Sequence, residues 1–280
     1  MEYLYDTQTS PPDPTPTLQN RLTEYLDMRW RKSAGGDLKI YFSGMYSHDF
    51  LIPDNSYYRL NKFFADWSDP RSLVDLRIGR QPASGNTLFS RFDGLTFSLR
   101  ASGTLGLTAS VGYAVDPFDR NQVQIQHDRL FYDTYLSVYD FYHLGGKIYY
   151  TQELNNGFST RNAVGFNGYW LNDRVNISSI VDYDLDFKQF NDKLLGLEYH
   201  YSLASYSAAV EYRKNPFLDY ETALLAPSLA LATPPVTSLD VLRETMTRSD
   251  IKTLALDNTM DSREVRLGTR SILRPSGMRI

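Results

Sequence analysis

Residues Thr104 to Asp116, "TLGLTASVGYAVD", alternate without a fault. Leu105, Leu107, Ala109, Val111, Tyr113 and Val115 fall on one side, and Gly106, Thr108, Ser110, Gly112 and Ala114 on the other. A period of two marks a strand with one apolar and one non-apolar face. The pattern recurs and predicts strands over 37–48, 55–67, 73–81, 93–101, 104–115, 131–141, 147–154, 160–170, 174–186, 193–203, 205–213 and 262–273. Residues 17–33 fit either helix or strand, and the hairpin signal Gly35-Gly36 tips them towards strand. Met1 to Thr17, with four prolines, reads as a flexible leader, and 18–280 as the barrel domain.

The connections sort as the strands do. "SDPRS", "ASG", "YHLGG", "LND" and "LAS" are tight, and between them fall longer links at 49–54, 82–92, 116–130, 187–192 and 214–261, with "NNG" the short exception. Alternating short and long links place the tight turns at one end of a meander, as in outer-membrane barrels and unlike a Greek-key sandwich. One-sided strands in a meander need a cover for their apolar faces, and no run of amphipathic helices supplies one. Lipid is the economical cover. Leu107, Val111 and Tyr113 are therefore expected to face lipid, and Thr108, Ser110 and Gly112 the lumen. The 214–261 insertion should carry a short helix near 238–248, capped by Ser238, with Asp240 in its first turn and Leu239, Leu242 and Met246 as its stripe.

Composition narrows the classes. The 280 residues carry a formal charge of -4 and a mean hydropathy of -0.41, which excludes a helical membrane protein and gives no support to nucleic-acid binding. The longest apolar run, Ala223–Ala232, is interrupted by Pro227 and is too short to span a bilayer as a helix. Tyr 21 and Phe 15 make a heavy aromatic load, which reads as a girdle at the lipid–water boundary or as plain sheet propensity. The absence of cysteine removes disulfides, thiolate metal sites and cysteine nucleophiles. The start has neither a basic segment nor an apolar core, so the barrel reading expects a processed or truncated end.

Candidate chemistry lies on the non-apolar faces. Asp75, Arg77, Arg100, Asp182, Asp184, Asp186, Glu198, His200, Glu211 and Arg213 are pore-lining candidates by alternation. "RIGRQPASGNTLFSRFDGL" adds Arg80, Arg91 and Asp93 around a loop. Opposed charges there would set a transverse field at a pore mouth, or would pin the loop by ion pairs. "DYDLDF" imitates the start of a calcium loop but has Phe187 in place of the required glycine and Lys193 in place of the required glutamate. Its three carboxylates read as solvated lumen charges. His48, His127, His143 and His200 show no metal-ligand spacing, and His200 with Ser202 lacks any supporting catalytic signature. No enzyme activity, cofactor or metal is expected.

The "GRQ" strand end, the loop and "RFDGL" resemble Gram-negative outer-membrane barrel proteins of the porin and alginate-export kind. "EYRKNPFLDYETALL" with "SLDVLRETMTRSDIKTLALDNTMDSREVRLGTRS" is similar to the barrel half of large outer-membrane proteins bearing tetratricopeptide repeats. The resemblance covers about half the chain. It differs in having no helical repeats before the barrel and no terminal aromatic strand in "RPSGMRI". The expected fold is all-β, an antiparallel up-and-down transmembrane barrel of about 12–14 strands, either closed as it stands or lacking strands at an end. The expected role is an outer-membrane passive pore, or a structural or export conduit. Expected partners are outer-membrane lipid and, for the conduit, a periplasmic repeat domain or export machinery. The alternative is a soluble all-β carbohydrate-binding module.

Overall fold

The computed structural model describes residues 2–8, 17–33, 35–50, 56–83, 91–115, 125, 127–201, 204–231 and 236–271. Among the described residues, fourteen strands follow one another in one sheet in the order of the sequence. They are β1 (Glu2–Gln8), β2 (Thr17–Ser33), β3 (Asp37–Asp49), β4 (Tyr57–Ser68), β5 (Val74–Pro82), β6 (Arg91–Arg100), β7 (Leu105–Ala114), β8 (Arg129–Phe141), β9 (Leu144–Asn155), β10 (Phe158–Leu171), β11 (Val175–Asp184), β12 (Gln189–Tyr201), β13 (Ala204–Asn215) and β14 (Met260–Ser271). The ladders from β1 to β6 and from β9 to β14 are antiparallel. Among the described residues no ladder joins β14 to β1. Contacts divide the chain into two compact units, 1–99 with 109–131, and 100–108 with 132–280.

All twelve expected strands are present with shifted ends, and 17–33 is strand β2 rather than helix. The leader differs from expectation, because Glu2–Gln8 form β1, which pairs with Thr17–Thr23 of β2. The four prolines lie in 9–16, between these two strands. The expectations placed on Ser202, on most of 82–92 and 116–130 and on "RPSGMRI" lie outside the described residues.

Turn chemistry explains the tight connections. In 69–73 the amides of Arg71, Leu73 and Val74 donate to the Asp69 carboxylate at 3.1, 2.5 and 2.8 Å. Those amides hold its carboxyl below the usual range despite an opposing desolvation cost. Asn156 and Gly157 both have positive φ, 47° and 75°. That is the backbone of a two-residue hairpin, which suits the sequence "NNG" and explains the short link at the long-loop end.

The apolar side of the alternation is the exposed one. In β7, Leu107 and Val111 are exposed and Thr108 and Gly112 are buried. Ile78, Ile148, Leu195 and Val210 are 59%, 61%, 58% and 57% exposed. Beside Phe64, Phe92 and Phe131, the strands bury a polar set, including Ser47, Gln81, Asp133, Thr151, Arg161, Asp182 and Asp184. Among the described ladders, bulges opposite Ser43/Gly44, at Ser159/Arg161 and opposite Asp182/Tyr183 shift the register locally.

Between β13 and β14 the chain leaves the sheet. It forms a 3-10 helix (Tyr220–Leu225), then α1 (Pro227–Ala230), α2 (Leu239–Thr245) and α3 (Arg248–Asp257). The expected helix at 238–248 is α2, with Ser238 as its cap and Asp240 in its first turn. The insertion has a core of ordinary polarity: Leu218, Tyr220, Ala223, Leu239, Leu242, Ile251 and Ala255 close over Phe187 from the β11–β12 turn.

Candidate functional site

In the first unit the polar face carries Asp75 and Arg77, as alternation places them. The Ser68 hydroxyl donates to Asp75 at 2.5 Å. Arg77 donates to Asp66 at 2.9 Å and lies over the Phe64 ring at 4.8 Å. Deeper along the same face, Gln81 donates to the Gly94 carbonyl and accepts from Thr96, which in turn bonds Ser110. Arg100 stands exposed at the tight-turn end of β6.

Arg80, Arg91 and Asp93 do not line this face. Phe63 pairs with Arg80, Arg80 with Asp93, and Pro82 with Arg91. Counting in twos from Ile78 and Leu95 puts all three on the apolar side. Arg80 grips Asp93 through two bonds of 2.8 and 2.5 Å, and Arg91 donates to Asn61 at 2.9 Å. Leu60, Phe63, Ile78, Val111 and Tyr113 line, with the Arg80–Asp93 pair, a cavity of about 610 Å³ on that side. Gly79 sits beside them at φ 118°, where a Cβ would collide with the Phe63 carbonyl. Glycine is what allows the strands to close up there.

In the second unit the polar face holds a buried ionic network. Arg161, 1% exposed, donates to Asp182 at 2.7 Å, lies 3.6 Å from Glu153, and stacks on the Phe217 ring at 4.8 Å. Asp182 also accepts from the Tyr149 hydroxyl at 2.6 Å. Asp184 accepts the amides of Asp186 and Phe187 and so shapes the β11–β12 turn. Neither carboxylate is the solvated charge that the sequence suggested, since both are buried. Asp186 is in the turn itself, bonded by Arg248 at 2.9 Å. Glu198 and His200 lie near the tight-turn end, 3.7 Å apart and half-exposed, with Asn176 3.2 Å from the imidazole. Glu211 accepts from Arg266, and Arg213 is the register partner of Asp192. Among the described residues no three His, Asp or Glu side chains gather as a metal site.

Arg161, Tyr149 and Glu153 were missed from sequence. Val164 and Phe166 fix the outward face of β10, and counting back in twos places Arg161 on the other.

The insertion closes onto this wall. Asn191 and Leu218 exchange two bonds of 3.1 and 3.0 Å, Asn155 donates to Glu221 at 3.2 Å, and Asn156 to Asp240 at 2.5 Å. Lys252 donates to the Asp186 carbonyl at 2.5 Å. Asp219 caps the 3-10 helix, accepting from the Thr222 amide and hydroxyl at 2.8 and 2.9 Å. Burial, reinforced by Glu221, pushes its carboxyl up to about 7.

No family model matches the sequence, and no curated protein matches it. Among solved structures, OccD3 (OpdP) of Pseudomonas aeruginosa aligns at a TM-score of 0.50 and 10% identity, covering 70% of this chain and 53% of that one. The shared fold is the antiparallel up-and-down sheet. The outer-membrane protein OpdK from the same organism aligns at a TM-score of 0.48, with 14% identity over 75% of this chain and 63% of its own. A Rhodopseudomonas blastica porin variant aligns at 0.44, with 11% identity and coverages of 75% and 80%. The chain thus spans about half the length of OccD3.

Proposed function

We propose that this chain forms the wall of a passive pore in a bacterial outer membrane, with the polar face lining the passage. The inverted polarity of the strands carries the reading. In water, exposing a continuous band of Leu, Ile, Val and Phe while burying Arg161, Asp182 and Asp184 would be doubly unfavourable. Against lipid the apolar band is solvated, and the polar side groups face one another or water.

The aromatics support it. Trp30, Trp67 and Trp170 pair in register with Ile40, Leu76 and Ile177 of the apolar face, each within a few residues of a tight turn. At the opposite strand ends of that face, Lys193 lies over the rings of Phe190 and Tyr212 at 3.5 and 5.4 Å. Rings and a lysine stem at the ends of an apolar band suit the lipid–water boundary. A soluble carbohydrate-binding module is not favoured, because its sheet would bury the face exposed here. Lipid is accordingly the proposed partner, and the role needs no enzyme activity. The conduit reading, with a periplasmic repeat domain or export machinery as partner, rests on the sequence resemblance of 211–271 alone.

The test is migration on a gel before and after boiling, from a membrane fraction, followed by solute efflux from vesicles containing the protein. Heat-modifiable migration with efflux is the expected result. Extraction as a detergent-free soluble protein overturns the reading.

A further inference from the structure

We propose that the insertion between β13 and β14 is a plug over the polar face of β9–β12, latched when Asp219 is protonated and released as it ionises. The proposal rests on the pore reading for its consequence, not for its mechanics. Three observations carry it. The insertion's helices gather around one apolar core, into which Phe187 of the β11–β12 turn is packed. It is fastened to the strands by the links Asn191–Leu218, Asn155–Glu221, Asn156–Asp240, Asp186–Arg248 and Asp186–Lys252, and by the Phe158 and Phe187 rings against Tyr220. At the seam sits a buried carboxyl, Asp219, in sequence between Leu218, which bonds Asn191 of β12, and Glu221, which accepts from Asn155 of β9; burial, then the charges of Glu221 and Glu153, push it up.

The other charges around the seam do not neutralise that group directly. Arg161 of β10 is engaged with Asp182 and Glu153. Arg248 and Lys252 of α3 reach Asp186 in the β11–β12 turn. A charged Asp219 therefore adds a third carboxylate to a closed space. Released into water it loses that burden.

The sign follows from linkage. The carboxyl titrates near 7 in the docked state and near the ordinary carboxylate value, about 4, once released. Docking is thus firmest below about pH 4, weakens as pH rises towards about 7, and changes no further above it.

The test compares wild type with Asp219→Asn by amide exchange across 216–259, each pH read as a ratio of the two proteins so that intrinsic exchange cancels. Wild-type opening should rise at least about tenfold relative to the variant between pH 5 and pH 8 and then level off. A constant ratio overturns the latch. A second arm does not depend on that variant folding. The chain has no cysteine, so Asn156→Cys with Asp240→Cys, joined by a short thiol crosslinker, fastens the plug alone. Conductance at pH 8 should fall several-fold on crosslinking, and unchanged conductance overturns the plug. Absence of conductance at every pH from protein whose insertion is replaced by a short turn overturns the pore reading, while the exchange result still judges the latch.

Discussion

In β9 to β12 the side chains sealed from solvent include Tyr149, Thr151, Glu153, Arg161, Asp182 and Asn191, while Ile148, Val164, Phe166, Leu195 and Leu197 stand exposed. In the insertion that follows β13, the sealed residues are mostly apolar, among them Leu218, Leu239, Leu242, Ile251 and Ala255 beside the cap pair Asp219 and Thr222, and α2 shows Arg243 and Glu244 outward. One chain thus uses two opposite assignments of polarity within a few tens of residues. On the pore reading the strands meet lipid on one side and water on the other, and the insertion meets water. Burial is favourable only relative to the solvent that each segment meets, so identical residue types change sides where that solvent changes.

The sharpest way to break the comparison is to attack what the strands bury. Arg161→Gln leaves Asp182 and Glu153 without their cation, and losing one partner of a buried ion pair costs about 3–5 kcal/mol. Thermal unfolding of the folded band on a gel should move down markedly. An unchanged midpoint would mean that the network is hydrated and idle.

The exposed side should fail next. Ala109 shares the apolar face of β7 with Leu107 and Val111, and Ser110 lies on the polar face against Thr96. Arginine at a lipid-facing mid-bilayer site costs about 2–4 kcal/mol. Ala109→Arg should block assembly into membranes, and Ser110→Arg should assemble. Equal yields of the two would remove the membrane from the account.

How much of this was legible beforehand depended on which pattern spoke. Period-two alternation carried the strands, their faces and, through the loop lengths, the meander, because a backbone in a sheet has no choice but to alternate. Charge misled where it was allowed to outrank parity. Arg80 and Asp93 drew attention as a pore-mouth pair, yet they alternate in phase with Ile78 and Leu95. Arg161 lay in phase with Ala163 and Gly165 and was overlooked. The leader was discounted for prolines that lie between β1 and β2 and interrupt neither. In the insertion α2 was readable from Ser238 and its stripe, whereas α3 was not. Its start is a Thr247–Asp250 box with aspartate in the place where glutamate is the usual signal.

The insertion should break differently from the sheet. Leu242→Ala removes a side chain 1% exposed from a small core. The loss should be about 2–3 kcal/mol, the lower part of the range for such truncations, since a small helical body closes partly round a void. Limited proteolysis should cut within 216–259 while the strands keep their heat-modifiable migration. Loss of both together would mean that insertion and sheet fold as one unit.

The smallest effects separate the two helix caps within that insertion. Ser238 accepts the Val241 amide at 3.5 Å, a long bond, and nothing returns to it. Thr247 accepts the Asp250 amide at 3.2 Å, while its own amide and hydroxyl donate to the Asp250 carboxylate at 3.1 and 2.7 Å. Those bonds from Thr247 hold the Asp250 carboxyl below its usual range. A group so lowered stabilises the folded form above its unfolded value and ceases to do so as pH falls through the folded one, the reverse of Asp219. As helix caps, Thr247→Ala should cost about 1 kcal/mol and Ser238→Ala about 0.5 kcal/mol or less. Protection of the α3 amides, measured by exchange, should be lost on acidification in the wild type but should lack that acid step in Thr247→Ala. If the two substitutions weaken protection equally, or if the acid step survives in Thr247→Ala, the reciprocal box does not hold the start of α3.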